Sequence, residues 1–223
     1  FYDERNRPTS TLYPDGSTTT QVYDGAGQLL SQIDELNRET KYTYDDVGRL
    51  LTVTNPLSQT TIYTYDNIGN LASVTDANGN VTQFSYDALD RLAQKIWPDS
   101  SYEAYTYDLV GNLVEHRLTD GAVNTFSYDL MDRLIEANYF DGQNITYTYT
   151  SMGLRDTATD SRGTTEYVYD NVNRLQRITQ PNGQEVEYNY DAVGNRIRMT
   201  TPAGTSTYTY DSANQLTSVT DPQ

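Results

Sequence analysis

A Tyr-Asp pair recurs at a nearly fixed interval along the whole chain, and this repeat limits the folds open to it. The repeat tyrosines are 21 residues apart seven times in succession, and then 20, 21 and 20 residues apart. A constant period of this length over eleven copies is typical of a repeat architecture, in which each copy is one small structural unit. The copies are Tyr2-Asp3, Tyr23-Asp24, Tyr44-Asp45, Tyr65-Asp66, Tyr86-Asp87, Tyr107-Asp108, Tyr128-Asp129, the degenerate Tyr149-Thr150, Tyr169-Asp170, Tyr190-Asp191 and Tyr210-Asp211.

The residues that lead into each pair alternate in character, as in Tyr42-Thr43-Tyr44. Alternation with a period of two is typical of a β-strand with two different faces, and Tyr and Thr are both favourable in strands. The pattern therefore predicts that in most copies one face carries two aromatic residues. The small polar residue between them is predicted on the other face.

The Asp of each pair is predicted to end this strand and to begin a turn. Four residues after the repeat tyrosine, the chain carries only residue types that tolerate a left-handed backbone. They are Gly27, Gly48, Gly69, Gly111, Gly153 and Gly194, and in the other copies Asn6, Asp90, Asp132, Asn173 and Asn214. Asp at the first position can bond the backbone ahead of it, so the pattern predicts a type I turn closed by a left-handed residue.

A return strand is predicted after each turn, starting with Arg or Asn and then Leu, as at Arg49-Leu50. The next apolar residue, Val53, is an odd number of positions from Leu50, so a regular strand would place the two on opposite faces. A β-bulge would restore a common face, but the sequence does not locate it. Second turns, which lead into the next repeat, are predicted at Pro14–Gly16, Asn78-Gly79, Asp120-Gly121, Asp141-Gly142, Pro181–Gly183 and Pro202–Gly204.

Two strands in each repeat predict an all-β fold, with about eleven antiparallel hairpins of 20–21 residues, or about 22 strands, as one continuous array over residues 1–223. Open sheets of that many strands curl or split, and one closed ring would be too wide for side chains to fill. A curved β-sheet spiral that forms part of a hollow shell or barrel is favoured, and a β-sandwich is the alternative. Both ends fall within a repeat, so we expect a fragment of a longer protein.

Composition argues against several classes of function. The formal net charge of −16 argues against binding to nucleic acid or to an anionic membrane surface, because both attract Lys and Arg. No apolar run reaches the roughly 20 residues of a membrane span, so membrane insertion is not expected. The chain contains no cysteine, which excludes disulfides and zinc–thiolate sites.

No catalytic, cofactor or metal motif accompanies the repeat, so the sequence predicts a non-enzymatic protein without a cofactor. It assigns no catalytic, cofactor-binding or metal-binding residue, and a calcium-binding loop of alternating acidic residues is absent. His116, the only histidine, is expected on the solvated face of a strand. Trp97 is expected to be a packing anchor, with a contact patch as the alternative. Tyrosine rings can stack on carbohydrate, but turn chemistry and a ladder of tyrosines account for the motif without this use.

With Tyr-Asp, the left-handed turn residue and Arg/Asn-Leu in place, the whole chain resembles the YD-repeat or RHS-repeat family. The resemblance implies a β-sheet spiral that forms a large hollow shell. In bacterial Rhs and toxin-complex members this shell encloses a toxic C-terminal domain, and teneurins use a related barrel in cell adhesion. Toxin-bearing members end the shell with a DPxGL motif. The nearest match here is Asp221-Pro222-Gln223, so no cleavage or toxin role is carried over to any residue.

The resulting hypothesis is a structural shell segment of a secreted or cell-surface bacterial YD-repeat protein, whose wall encapsulates a toxin domain. The alternative is an extracellular adhesion or fibre-forming module that binds protein or carbohydrate, because exposed edge strands allow hairpins to pair between molecules. The expected partners are further YD repeats of the same or neighbouring chains and, in the first case, the enclosed domain. The expected site residues are those of the structural repeat motif, namely the Tyr-Asp pairs and the turn glycines named above.

Overall fold

The computed structural model describes residues 1–222, and these residues form β-strands joined by short turns, with no helix. Gln223, which ends the DPxGL-like segment, lies outside the described residues. Contacts divide the chain into two units, which are treated separately below. The first unit is Phe1–Tyr105 with Leu118–Asp120, and the second is Thr106–Arg117 with the chain from Gly121 onward.

The first unit is an antiparallel meander, in which each strand pairs with its neighbours in sequence from β1 to β10. The chain passes to the second unit within β10. The strands are β1 (Ser10–Leu12), β2 (Thr18–Tyr23), β3 (Leu29–Ile33), β4 (Glu39–Tyr44), β5 (Leu50–Thr54), β6 (Thr60–Tyr65), β7 (Leu71–Thr75), β8 (Val81–Tyr86), β9 (Leu92–Ile96) and β10 (Tyr102–Tyr107).

The second unit continues the same pattern, with each strand paired to the next from β11 to β21. Its strands are β11 (Leu113–Arg117), β12 (Val123–Tyr128), β13 (Leu134–Asn138), β14 (Asn144–Tyr149), β15 (Arg155–Asp160), β16 (Gly163–Tyr169), β17 (Leu175–Thr179), β18 (Glu185–Tyr190), β19 (Arg196–Thr201), β20 (Gly204–Tyr210) and β21 (Leu216–Thr220).

The all-β fold class and the array of antiparallel hairpins are confirmed. The described residues contain 21 strands, whereas the repeat predicts about 22. The difference lies in the first repeat, where Tyr2 forms an isolated bridge with Pro8 instead of a strand.

The predicted turn is confirmed in its backbone and in its hydrogen bonds. In the hairpin of β4 and β5, the Gly48 N–H donates to the Asp45 carbonyl at 3.0 Å, and Gly48 has a φ of 90°. Each glycine predicted at this position has a positive φ, as do Asn6, Asp90, Asp132, Asn173 and Asn214. The presence of only Gly, Asn or Asp at this position in the different copies therefore predicted its left-handed backbone correctly.

The second turns contain the six glycines predicted there, and all six have a positive φ. Gly163 and three non-glycine residues with a positive φ, Asn37, Ser58 and Ser100, close second turns that the sequence did not mark. Asn37, Ser58 and Ser100 show how far the local signal extends. Serine is not among the residue types that favour this conformation, so the local signal was absent at two of the three positions. The pairing of the two strands that flank each of these turns imposes the left-handed backbone conformation.

The bulge lies directly beside the repeat tyrosine. Thr43 pairs with Thr52, but Tyr44 pairs with Leu50, so the return strand contributes one extra residue. Val53 pairs with Tyr42, and because paired residues share a face, Leu50 and Val53 both lie on the tyrosine face. The same shift precedes Tyr23, Tyr65, Tyr86, Tyr128, Tyr149, Tyr169, Tyr190 and Tyr210. The structure therefore contains the bulge that would place Leu50 and Val53 on a common face, and it locates this bulge beside the repeat tyrosine.

The tyrosine face is the more shielded face of the aromatic strands. On β4, Tyr42 and Tyr44 are half-buried, whereas Lys41 and Thr43 are exposed. His116 pairs with Asn124, which alternates onto the face of Phe126 and is 8% exposed. The prediction that His116 lies on the solvated face is therefore wrong, because the residue occupies the position that Val53 holds in its own repeat.

Neither unit has a packed apolar core among residues 1–222. Ala137 is the only apolar residue in this range that is buried, and no large side chain is fully buried. A β-sandwich would enclose an apolar layer between two sheets, and the described residues of each unit contain no such layer. The hairpins are therefore stabilised by backbone hydrogen bonds and by side-chain pairs between neighbouring strands. Residues 1–222 include no helix that is long and apolar enough to cross a bilayer.

Candidate functional site

The repeat tyrosine joins its own hairpin to the hairpin before it. The Tyr65 hydroxyl donates to the Leu50 carbonyl at 2.9 Å, fifteen residues back in sequence. The same bond joins Tyr44 to Leu29, Tyr86 to Leu71, Tyr128 to Leu113, Tyr149 to Leu134 and Tyr190 to Leu175, at 2.7–3.0 Å. After a shortened repeat the acceptor is an arginine carbonyl, as for Tyr169 with Arg155 and Tyr210 with Arg196.

The hydrogen bond from the tyrosine hydroxyl to the leucine carbonyl recurs because the two residues have the same relative position in each pair of neighbouring strands. Tyr65 is the last residue of β6, and Leu50 is the first residue of β5, the neighbouring return strand. Because the bulge brings Leu50 onto the tyrosine face, the long Tyr65 side chain reaches across the start of this strand. Burial raises the pKa of the tyrosine hydroxyl in the equivalent Tyr128, and the Asp108 carboxylate acts in the same direction. The hydroxyl therefore stays protonated and remains a donor.

The repeat aspartate holds the turn and an arginine together. The Asp45 carboxylate accepts the backbone N–H groups of Val47 at 3.1 Å and Arg49 at 2.8 Å, and Nε of Arg49 at 2.7 Å. The guanidinium of Arg49 then lies over the ring of Tyr65 in the next repeat, 4.6 Å from the ring centre. Arg7 with Tyr23, Arg133 with Tyr149 and Arg174 with Tyr190 form the same arrangement at 4.6–4.7 Å.

The residue type that starts the return strand correlates with the residue type at the left-handed turn position of the next repeat. Asn70 donates to Asp90, the left-handed residue 20 positions later, at 3.3 Å. Asn112 contacts Asp132 and Asn195 contacts Asn214 in the same way, at 3.0 and 3.1 Å. Where arginine starts the strand, the matched residue is glycine, as for Arg7 with Gly27, Arg49 with Gly69, Arg133 with Gly153 and Arg174 with Gly194.

Arginine leaves little room for a side chain on the turn residue in one of these pairs, whereas a Cβ atom on Gly69 or Gly153 would lie at an ordinary contact distance of 3.7 Å from the arginine. A Cβ atom on Gly27 would lie 3.2 Å from the Arg7 guanidinium, which is tighter than nearly all Cβ contacts. The shorter Asn leaves room for a polar side chain that accepts its amide hydrogen. The contacts of tyrosine, arginine and asparagine between repeats were not predicted, although the pairing at 20 residues is visible in the sequence.

The remaining motif residues behave less uniformly. Tyr2 is 70% exposed and lies at the start of the chain. Asp24 accepts the backbone N–H groups of Gly27 and Gln28 at 2.7 and 2.8 Å. In the degenerate copy the Thr150 hydroxyl accepts the Leu154 N–H at 3.2 Å, so the threonine makes one of the backbone hydrogen bonds that the aspartate makes in the other copies.

A surface depression beside Trp97 in the first unit is lined by acidic side chains. Two carboxylates line it, those of Asp99 and Glu103. Asp99 accepts the N–H and hydroxyl of Ser101, and Glu103 accepts the Tyr105 hydroxyl at 2.7 Å. The Lys95 ammonium covers the Trp97 ring at 3.6 Å from its centre, and Trp97 is half-buried. Both carboxylates are thus engaged within the protein.

Metal ligation finds no support in the described part of the chain. Residues 1–222 contain no group of three or more His, Asp or Glu side chains placed to hold an ion. The aspartates instead accept backbone hydrogen bonds within their own turns. The geometry defines a class of protein whose side-chain chemistry serves the contacts between successive hairpins.

The chain belongs to the Teneurin YD-shell family, whose profile matches residues 2–155. A profile of the RHS repeat matches residues 169–206 and 190–223. The resemblance to the YD-repeat and RHS-repeat family is therefore confirmed. This family and fold are those of structural shell repeats. A comparison with curated protein sequences gave no match.

Solved structures of toxin complexes contain the same fold. The crystal structure of TcdB2-TccC3-Cdc42 is 20% identical over 96% of this chain, with a TM-score of 0.73. TcdB2-TccC3 without its hypervariable C-terminal region gives 20% and 0.74 over the same share, and the Photorhabdus luminescens Tc holotoxin pore gives 16% and 0.59. At such identities the likeness shows the fold alone. The chain spans 13%, 13% and 16% of these three solved chains.

The turn aspartates make stability dependent on pH. The Arg49 N–H holds the pKa of Asp45 below its ordinary value; partial burial opposes this, and the Arg49 side chain lowers the pKa further. The pKa is likewise lowered for Asp3, Asp34, Asp66, Asp76, Asp87, Asp108, Asp129, Asp160, Asp170 and Asp191. A lowered folded-state pKa contributes stability above the unfolded value of about 3.9, and this stability is lost as the pH falls toward the folded-state pKa.

We expect Asp45→Asn to lower the melting temperature at pH 7 and to have progressively less effect as the pH falls below about 4. The variant keeps the oxygen acceptor, as Asn55 does when it accepts the N–H groups of Leu57 and Gln59 in a second turn. It loses the charge that pairs with Arg49. Circular dichroism melts of both proteins from pH 7 to pH 3 measure this. A difference that stays constant or grows toward pH 3 would contradict the prediction.

Proposed function

We propose that this chain is a non-enzymatic wall segment of a hollow β-shell, and that in the full-length protein the shell encloses a toxin domain. The observation that carries the proposal is the repeated bond from the tyrosine hydroxyl to the leucine carbonyl of the preceding hairpin. Each hairpin presents a backbone carbonyl that accepts the tyrosine hydroxyl of the next hairpin. Hairpins can therefore add one after another and form a layer that needs no packed core. Such a layer is suited to enclosing a volume.

Several observations support this role over an enzymatic one. The turn aspartates accept backbone hydrogen bonds, and the two carboxylates beside Trp97 have partners within the protein. The family is named for a shell, and similar folds occur in structures of toxin complexes. For this chain, the enclosed toxin, the bacterial source, the secreted or surface location and the continuity of residues 1–223 as one array are parts of the proposal.

Cryo-electron microscopy of the full-length protein tests the proposal directly. We expect discrete hollow particles whose wall contains the strands of this chain, about 4.8 Å apart, around internal density. A matched protein that lacks the sequence after the shell should give particles with the same wall and an empty interior. A solid particle, or internal density that persists in the shortened protein, would contradict enclosure of a C-terminal domain.

The alternative role, an adhesion or fibre-forming module, predicts a different image from the same experiment. An edge strand of such a meander has unpaired backbone groups that can pair with a strand of another molecule. Long filaments with this chain as the repeating subunit would replace the shell proposal with the fibre.

A further inference from the structure

A row of apolar side chains lies along one edge of the second unit. It is formed by the third residue of five of the six repeat turns of this unit, and we call it the apolar turn row: Val110, Met131, Met152, Val172 and Val193; the sixth turn carries the small Ala213 there. In an antiparallel meander every second turn lies at the same edge, so neighbouring members of the row are about 9.6 Å apart. Their side chains are between 60% and 73% exposed. Leu109 and Leu130, which precede two of them, are fully exposed.

The turn itself does not require an apolar residue at this position. The third residue of a type I turn has an ordinary right-handed backbone that accepts most residue types. At the opposite edge of the same unit, turns that close with Gly142 and Gly183 carry Asp141 and Asn182 at the third position. Polar residues therefore satisfy the same geometry, and the apolar turn row is not explained by folding of the hairpins.

The turn position before each member of the row is also uncharged: it holds Leu109, Leu130, Ser151, Asn171 and Ala192. The carboxylates of the same turns accept hydrogen bonds within the protein, those of Asp108, Asp129, Asp170 and Asp191 from backbone N–H groups of their own turns and that of Asp132 from Asn112. Exposed apolar side chains of this kind are typical of the buried centre of a protein interface.

We propose that the apolar turn row is a docking surface for a second copy of this chain. A partner that covers every member must present apolar groups at the same interval of about 9.6 Å, and another array of this repeat has that interval. The seven apolar side chains bury roughly 80 Å² each, or about 1,100 Å² over both copies, which reaches the roughly 1,000 Å² of a specific interface. A two-fold arrangement that covers all five turns places Met152 opposite Met152 of the second copy.

Sedimentation measurements over a range of concentrations test this proposal. We expect a reversible dimer, and we expect the triple variant Met131→Asn, Met152→Asn, Val172→Asn to weaken it at least tenfold. Phe140→Asn is the matched control, because Phe140 is exposed to a similar degree but lies in a turn of the opposite edge. This control should dimerise like the unchanged protein, and circular dichroism should show that both variants remain folded.

Cysteine cross-linking locates the contact. The chain has no cysteine, so Met152→Cys introduces a single thiol. We expect this variant to form a disulfide-linked dimer under mild oxidation, since the two-fold axis brings the two Cβ atoms close enough for a disulfide bond, and Phe140→Cys to remain a monomer under the same conditions. A wild-type monomer at all concentrations up to about 100 µM would overturn the proposal, as that is far weaker than a specific interface. Association that survives the triple variant, or binding of the apolar turn row to lipid vesicles without dimerisation, would also overturn it.

Discussion

Replacing Tyr65 with alanine is expected to lower the free energy of unfolding by about 2–3 kcal/mol, below the roughly 3–5 kcal/mol of fully buried aromatic residues because Tyr65 is half-buried. The substitution removes the contact of the ring with the Arg49 guanidinium and the bond of the hydroxyl to the Leu50 carbonyl. Tyr65→Phe removes only the hydroxyl and should cost about 0.5–1.5 kcal/mol. Urea denaturation of the three proteins gives these differences from the change in midpoint.

The loss at Tyr65 should also be local. Hairpins in a repeat array interact mainly with their neighbours, so hydrogen exchange should rise in β5 and β6 and much less in β17 and β18. Tyr2→Ala is the matched control, because Tyr2 is 70% exposed and should have little effect. Equal costs for Tyr65→Ala and Tyr2→Ala, or uniform exchange along the chain, would show that the tyrosine does not join neighbouring repeats.

Replacing Gly194 with valine is expected to cost about 1–3 kcal/mol through backbone strain alone. Gly194 has a φ of 102°, and a Cβ atom there would meet no other atom within 4 Å, so the Cβ atom itself adds no clash with neighbouring groups. A β-branched residue is strongly disfavoured in this backbone region. The cost should therefore appear in urea denaturation as a shift of the midpoint.

Gly194→Asn provides the matched control for the valine variant. Asn173 and Asn214 occupy the equivalent positions of the neighbouring repeats with φ values of 65° and 61°. The asparagine variant should therefore lose less than about 1 kcal/mol, since asparagine adopts the left-handed backbone more readily. If valine and asparagine proved equally harmful, the left-handed backbone would not be what selects the residue at this position.

Much of the fold was predictable because the rules involved are local. The turn at Asp45 depends on four consecutive residues, and the alternation in Tyr42-Thr43-Tyr44 depends on the pleat of one strand. Because the pattern occurs in eleven copies, the residue types found at each position of the repeat can be compared within one sequence. His116 was misplaced because its position between the charged Glu115 and Arg117 suggested a solvated face, whereas adjacent residues of a strand point to opposite faces.

The sequence predicted which residues belong to the candidate site, but not which contacts they make. The sequence identified Tyr65 and Asp66 as motif residues, but not that the Tyr65 hydroxyl bonds Leu50 or that Arg49 covers its ring. Those contacts join residues 15 and 16 positions apart in different hairpins. Their geometry depends on the distance and register between strands, which no property of an isolated repeat specifies.

The sequence by itself determined the period, the hairpins, the left-handed turn residues and the two chemically distinct faces of each strand. Each of these follows from the conformational preferences of a few adjacent residues. Only the tertiary structure decided where the bulge lies, that Leu50 and Val53 share the tyrosine face, and that this face is the more shielded one. These features depend on how one strand lies against the next, because a shift of a single residue in pairing exchanges the two faces of a strand.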